Sequence, residues 1–298
     1  MKSKDILEKF LIDQQVKGNT KQTIDYYKRR INYFINFIEN KEISKVTIED
    51  YNNYAIYLRN KQKQNGDNIS SATIKTELNS AKIFLMYCYK NNYIESDFPT
   101  KISNYKIVKK TIVVLSEEEI KKLLSSQNEF TLIGVRNLLA ISLMLDAGLR
   151  VSEVCNLDVT DINKELGLIR VFGKGQKERL VPLTDSIRRY YDKYVFLGDI
   201  FSGCLFLDKE TGERITPSGI SQILRRIKKQ YNFKKLHPHY LRHTFATLFL
   251  VNGGDPVHLQ IILGHETLYM TEQYLHIANQ MTMSEKKKYS PLSNIKKA

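Results

Sequence analysis

Long apolar runs are missing from this 298-residue sequence. None approaches the roughly 18 residues that a membrane-spanning helix needs, so no membrane contact is expected. The first residues, Met1-Lys2-Ser3-Lys4-Asp5, lack the apolar core of a signal peptide, which predicts a cytoplasmic protein. Cysteines are scarce. Cys88, Cys155 and Cys204 are far apart, odd in number and in no metal-ligand spacing. They read as small buried apolar residues in a reducing compartment. No carboxylate cluster suits Mg²⁺, so no metal site is expected. There is no internal repeat and no low-complexity segment.

Acid is also in short supply: 32 Asp and Glu stand against 46 Lys and Arg, a net charge of +14. The excess is spread out. Residues 1–110 hold 20 basic and 12 acidic residues (net +8), and residues 111–298 hold 26 and 20 (net +6). That distribution suits a protein that meets a polyanion with both halves, although many basic proteins simply carry solvated lysine faces.

The length favours two domains. The first third reads as four helices. Ile6, Leu7, Phe10 and Leu11 form a helical stripe, and Gly18-Asn19 breaks it. Thr20 is placed to cap a helix running to about Glu39, and Thr47 to Asp50 has the form of a capping box. Ser70 or Ser71 caps a fourth helix to about Lys90. The expected division is 1–98 for a helical domain with a basic face, 99–113 for a basic linker, 114–280 for a second domain and 281–298 for a tail. In the second domain Ser116 to Glu119 is another capping box, and Thr131 to Ala147 is apolar enough to be buried on most sides. Leu166 to Phe172 and Arg179 to Leu183 read as two strands around the turn Gly173-Lys174-Gly175. Leu205 to Leu207 reads as a further short strand, and Pro217 opens a basic helix.

Chemistry concentrates in the stretch from His239 to Tyr274. Histidines, Arg242 and a tyrosine within 36 residues are what attack on a phosphodiester needs. A guanidinium holds non-bridging oxygens, and a tyrosine hydroxyl can attack phosphorus. Singly, each candidate has an ordinary reading. Arg150 could be a salt-bridged structural arginine, Lys174 an exposed turn residue, His239 a core histidine, His265 a helix cap, and Tyr274 is one of 18 tyrosines.

Together they resemble the tyrosine recombinase (phage integrase) family, with an Xer-like organisation. Gly148-Leu149-Arg150-Val151-Ser152-Glu153 is similar to the family's first arginine box, and Gly173-Lys174-Gly175 to its β-hairpin lysine. His239-Tyr240-Leu241-Arg242 is similar to its His-x-x-Arg box, and Leu263-Gly264-His265 with Tyr274 completes the set in order and spacing. Asp146-Ala147 and the bulky Tyr240 depart mildly from the family pattern and put local packing, not chemistry, in doubt.

The resemblance implies a mainly α protein with a small β-sheet in the second domain, forming a two-domain C-shaped DNA clamp. It implies that Arg150 and Arg242 hold the scissile phosphate, His265 adds a hydrogen bond, and His239 binds phosphate and accepts the Tyr274 proton. Lys174 would protonate the 5′-oxygen, and Tyr274 would form a 3′-phosphotyrosyl bond with neither ATP nor metal, so no cofactor is expected. Glu153 would orient the site, though a surface glutamate is an equal reading. Lys177, Tyr269 and His237 lack the family spacing, and His243 reads as structural.

The implied partners are a double-stranded DNA recombination site and a homotetramer bridging two such sites through a Holliday junction. A paralogous recombinase or an accessory protein is a further candidate partner. The location implied is cytoplasmic and nucleoid-associated. The length predicts no arm-site domain before residue 1, which favours Xer-like dimer resolution. A mobile-element integrase or resolvase, a type IB topoisomerase-like enzyme and an inactive DNA-binding relative stay open. The segment from Met281 to Ala298 is expected to dock into a neighbouring protomer.

Overall fold

The computed structural model describes residues 1–63, 66–105, 113–173, 175, 177–208 and 211–283. The chain divides into two compact units, Met1–Lys110 and Thr111–Ala298.

The first unit packs α1 (Ser3–Val16), α2 (Lys21–Phe37), α3 (Ile48–Asn60) and α4 (Ser71–Lys90). Each turns an i, i+3, i+4 stripe inward: Ile6, Leu7, Phe10 and Leu11; Ile31, Phe34 and Ile35; Tyr51, Tyr54 and Leu58; Leu78, Ala81, Phe84 and Leu85. Phe10 sits at the centre, with Tyr27, Phe84 and Tyr87 meeting its ring edge-on. The helix starts follow the expected caps. Thr20 Oγ1 accepts from the Thr23 amide, Ser70 Oγ from the Thr73 amide, and Asp50 accepts from the Thr47 amide at 2.8 Å. Helix α2 stops at Phe37, short of Glu39, because Glu39 and Asn40 both take positive φ and leave the helical region.

The expected linker begins as structure. A single turn, α5 (Phe98–Lys101), carries Phe98 and Ile102 into the first unit's core, and the Lys82 ammonium donates to the Ile102 carbonyl at 2.7 Å. Residues 106–112 lie outside the described residues.

The second unit holds α6 (Glu117–Ser125), α7 (Leu132–Leu145), α8 (Val151–Asn156), α9 (Asp185–Gly198), α10 (Pro217–Gln230), α11 (Pro238–Val251), α12 (Pro256–Leu263) and α13 (Tyr269–Met281). An antiparallel sheet is ordered β1 (Ile162–Asn163), β2 (Leu168–Phe172), β3 (Glu178–Pro182). Ile169, Val171 and Val181 face the core while Arg170, Phe172 and Leu180 face outward, the alternation of a sheet covered on one side. Helix α7 is buried on most sides, from Gly134 to Met144.

The stretch Leu205–Leu207 is not a strand. Leu205 donates to the Leu157 carbonyl and Phe206 accepts from Ile215, so its hydrogen bonds go to two different partners and no ladder forms. Leu205 and Phe206 are buried because the segment bridges two parts of the core. Helices α11, α12 and α13 enclose a smaller core of Phe245, Ala246, Leu250, Leu259, Leu263, Tyr274 and Ala278. Among the described residues no helix is long and apolar enough to cross a membrane.

Candidate active site

Helix α12 ends in a left-handed Gly264 (φ 61°), with the His265 amide donating back to the Gln260 carbonyl at 3.1 Å. That cap leaves the last carbonyls of α12 without helical partners. Three guanidinium groups take them. Arg242 Nη2 donates to the Leu263 carbonyl (2.7 Å), Arg150 Nη1 to the same oxygen (3.3 Å), and Arg179 Nε to the Ile262 carbonyl (2.7 Å). The negative end of a helix thus gathers three cations.

Glu153 binds the same three. Arg179 grips its two oxygens at 2.9 and 2.8 Å, Arg150 donates to it from its amide (2.8 Å) and Nη1 (2.9 Å), and Arg242 Nη1 lies 3.9 Å away. Arg242 Nη1 also donates to the Gly148 carbonyl at 2.5 Å. One carboxylate against three guanidiniums leaves net positive charge in a largely water-free place, an arrangement suited to an anion. The Arg150 side chain is 32% exposed and those of Arg179 and Arg242 are 9% and 6%, so an arriving anion meets Arg150 first.

His265 stands beside the arginines. Its Nε2 lies 3.4 Å from Arg242 Nη2 and its Nδ1 lies 3.0 Å from Thr271 Oγ1. A guanidinium only donates, so neutral His265 carries its proton on Nδ1 and gives it to Thr271. Thr271 is fully buried, and Tyr274 follows three residues later on the same face of α13. The Tyr274 ring lies parallel to that of His265, and its hydroxyl is 2.7 Å from His243 Nδ1.

The structure therefore brings Arg150, Glu153, Arg242, His265 and Tyr274 together. His239 lies on the first turn of α11, exposed, with its ring 6.5 Å from that of His243. The tyrosine hydroxyl meets His243, one turn further on, and not His239. His243, read from the sequence as structural, is thus in contact with the Tyr274 hydroxyl. Lys174 lies outside the described residues, but its hairpin is closed by the Gly173 amide donating to the Lys177 carbonyl at 2.8 Å. A Cβ at Gly173 would sit 3.7 Å from Arg179 Nη1, so the hairpin base adjoins the arginine cluster.

Sequence reasoning missed Arg179 and Thr271 as parts of the site. Arg179 had a usable signal: it precedes buried Val181 by two residues in a strand, which puts both on the inward face. An inward arginine needs a buried acid, and Glu153 is that acid.

The charges tune one another. Burial alone would raise the Glu153 carboxyl, but the hydrogen bonds and charge of Arg179, then those of Arg150, hold it below the usual range. Burial, reinforced by Arg150, pushes Arg242 down to about 10, still charged at neutral pH. Burial and the three arginines lower His265 to about 4, and burial with its charged neighbours lowers His243. His239 is exposed at its outer edge, but the protein around the rest of its ring, then Arg242 and Arg150, lower it too. Burial raises the Tyr274 hydroxyl, against the pull of Arg242 and Arg150, so it is protonated at neutral pH.

A pH dependence of stability follows. All three histidines bind protons more weakly folded than unfolded, so stability is complete above the ordinary value of 6.5 and falls below it, for His265 down to about 4. Urea unfolding at about pH 7.5 and about pH 5 should show a drop in stability that His265→Gln makes smaller. An equal drop in the variant would remove His265 as a cause.

Gly148 makes a second test. It has φ 66°, and a Cβ there would lie 2.4 Å from Phe245 Cδ1. Gly148→Ala should lose on the order of 3 kcal/mol in urea unfolding, from left-handed strain plus overpacking. It should also displace the carbonyl that anchors Arg242.

A three-stranded sheet within helices, with clustered guanidiniums beside a tyrosine hydroxyl, defines a class of protein built to hold a phosphate against a tyrosine nucleophile. Among the described residues no group of three or more His, Cys, Asp or Glu side chains could hold a metal ion. The phage integrase family matches residues 113–281, and the phage integrase N-terminal SAM-like domain matches residues 6–95. A tyrosine recombinase of Thermosipho africanus is 32% identical over 275 residues, spanning 92% of this chain and 95% of the relative. Tyrosine recombinase XerD of Staphylococcus epidermidis is 31% identical over 281 residues, 92% and 94% of the two chains. The Tn1549 transposon integrase, solved in complex with circular intermediate DNA, has the same fold: TM-score 0.73, 23% identity, 92% and 95% covered. The chain belongs to the phage integrase family, within which it is an Xer-like tyrosine recombinase.

Proposed function

We propose that this recombinase cuts and rejoins duplex DNA at a specific site, with Tyr274 as nucleophile and Arg150, Arg242 and His265 as the phosphate-binding set. The observation that carries the reading is the convergence of Arg150 and Arg242 on one carbonyl, Leu263, with His265 beside them and the Tyr274 ring against His265. A phosphodiester oxygen replacing that carbonyl as acceptor would receive the same forked donors, and they bind more strongly as charge grows on it in the pentavalent state. Tyr274 Oη forms the bond to phosphorus, the 5′-oxygen leaves, and Lys174 on the hairpin protonates it. Glu153 and Arg179 hold Arg150 and Arg242 in register. The basic excess of both halves supports contact with duplex DNA along the whole chain.

The reading extends to four protomers acting on two sites through a Holliday junction, and to resolution of circular DNA dimers. Its support is the likeness to Xer recombinases over more than nine-tenths of the chain. Covalent capture tests it. Wild-type protein is incubated with fragmented genomic DNA of its source, adducts are recovered, and both the DNA junction and the modified peptide are sequenced. One recurrent DNA site, attached through Tyr274, is expected. Absence of adducts, or attachment through Tyr269, would defeat the assignment. A plasmid bearing two copies of the recovered site should yield two circles, whereas relaxation without exchange would point to a topoisomerase.

A further inference from the structure

We propose that His243 is the base that receives the Tyr274 proton. This rests on the reading of Tyr274 as nucleophile and names a residue that reading leaves without a role. A phenol is a poor nucleophile until its proton has somewhere to go, and a candidate base must lie within hydrogen-bond reach of it. His243 Nδ1 is 2.7 Å from Tyr274 Oη. His239 is exposed, its ring 6.5 Å beyond that of His243.

The surroundings suit the task. His243 is half-buried on α11, directly after Arg242, so the base and a phosphate-holding guanidinium share one rigid helical turn. Tyr274 comes from α13, which packs against α11, and its ring is embedded in the small core of Phe245, Leu259 and Leu263. The titratable and charged groups around His243 are His237, His239 and Arg242 on its own helix, Tyr274 on α13 and His265 after α12. None of these is a carboxylate, and burial first, then the neighbouring histidines and Arg242, favour a neutral imidazole. A neutral ring with Nε2 protonated offers a bare Nδ1 to the hydroxyl.

The step balances simply. The Tyr274 Oη–H proton moves to His243 Nδ1 as Oη bonds to phosphorus. The bond from phosphorus to the 5′-oxygen breaks, and that oxygen takes a proton from a separate acid. On rejoining, His243 returns its proton to the departing Tyr274 oxygen. His239, four residues earlier on the same face and open to solvent, is the nearest ring through which the proton can exchange with water.

The experiment uses the full chain and a nicked suicide duplex carrying the captured site, made with an ordinary phosphodiester or with sulfur as the 5′ leaving atom. Sulfur leaves without an acid, so it rescues a missing acid and not a missing base. His243→Asn keeps a hydrogen-bond acceptor near Nδ1 but cannot take the proton. Its adduct formation should slow by about 100- to 10,000-fold on both duplexes, with DNA affinity retained. A rate within threefold of wild type, a faster rate, or recovery on the sulfur duplex would each overturn the proposal; a faster rate would make His243 a resting clamp.

A second measurement needs no substitution at 243. Wild-type cleavage of the sulfur duplex should fall as pH drops below the ordinary histidine range, and His239→Asn should keep that limb however slow it becomes. Loss of the limb in His239→Asn assigns the base to His239 instead. If wild-type protein forms no adduct at all, the nucleophile reading fails, which is a different result from either of these.

Discussion

Tyr274→Phe is expected to abolish the covalent DNA adduct, a loss of about a million-fold by analogy with removal of other enzymic nucleophiles. The same change should leave the protein folded and bound to DNA. The Tyr274 ring contributes apolar contacts within the core of α11, α12 and α13, and phenylalanine retains them. What disappears is one hydrogen bond, Tyr274 Oη to His243 Nδ1 at 2.7 Å, at a cost of about 1 kcal/mol. The guanidiniums of Arg150 and Arg242 are bound to Glu153 and to the Gly148 and Leu263 carbonyls, not to Tyr274, so the anion site persists. Three measurements on one preparation separate chemistry from folding: adduct yield by gel, affinity by mobility shift, and the midpoint of thermal unfolding. An adduct surviving in Tyr274→Phe would transfer the nucleophile to another side chain.

How much could be read beforehand follows from the range of each interaction. Helix starts were legible because caps are local: Thr20 to Thr23, Thr47 to Asp50 and Ser116 to Glu119 each span three residues. The motif spacings picked out Arg150, Arg242, His265 and Tyr274, and the structure brings these side chains into one place. Their partners were not legible. The Arg150 bond to the Leu263 carbonyl joins residues 113 apart, and that of Arg242 to the Gly148 carbonyl joins residues 94 apart. Main-chain acceptors have no sequence signature, so the use of a helix C-terminus to gather arginines could not be foreseen. The contact of His243 with Tyr274 was not legible for a similar reason. Which of two histidines one turn apart meets the tyrosine is decided by how α13 lies on α11, a tertiary matter. The expected strand at Leu205 had the right composition, but a strand also needs a continuous partner.

Among the described residues a single acid holds the arginine cluster, and Glu153→Ala should show how much depends on it. Glu153 is 4% exposed and receives four hydrogen bonds, two from Arg179 and two from Arg150. Without it, Arg179 and Arg242 remain almost wholly buried beside Arg150, with only carbonyl oxygens to balance three charges. Breaking a buried pair in this way costs about 3–5 kcal/mol, much of it the penalty of charge left unpaired. Glu153→Gln should do little better, because its amide nitrogen would face guanidinium donors. Glu153→Asp keeps the charge but is one methylene short, and it should fall between wild type and Glu153→Ala. Catalysis should suffer beyond stability, since a displacement of about 1 Å in Arg150 or Arg242 costs about 100-fold in rate. Urea unfolding and suicide-substrate cleavage at a temperature where each variant is folded will measure the two losses separately. Added sulfate should narrow the stability gap, because an anion in the site supplies some of the missing negative charge to the folded state alone. If Glu153→Ala unfolds at the wild-type urea concentration, the α12 carbonyls suffice to hold the arginines, and Glu153 is dispensable to the fold.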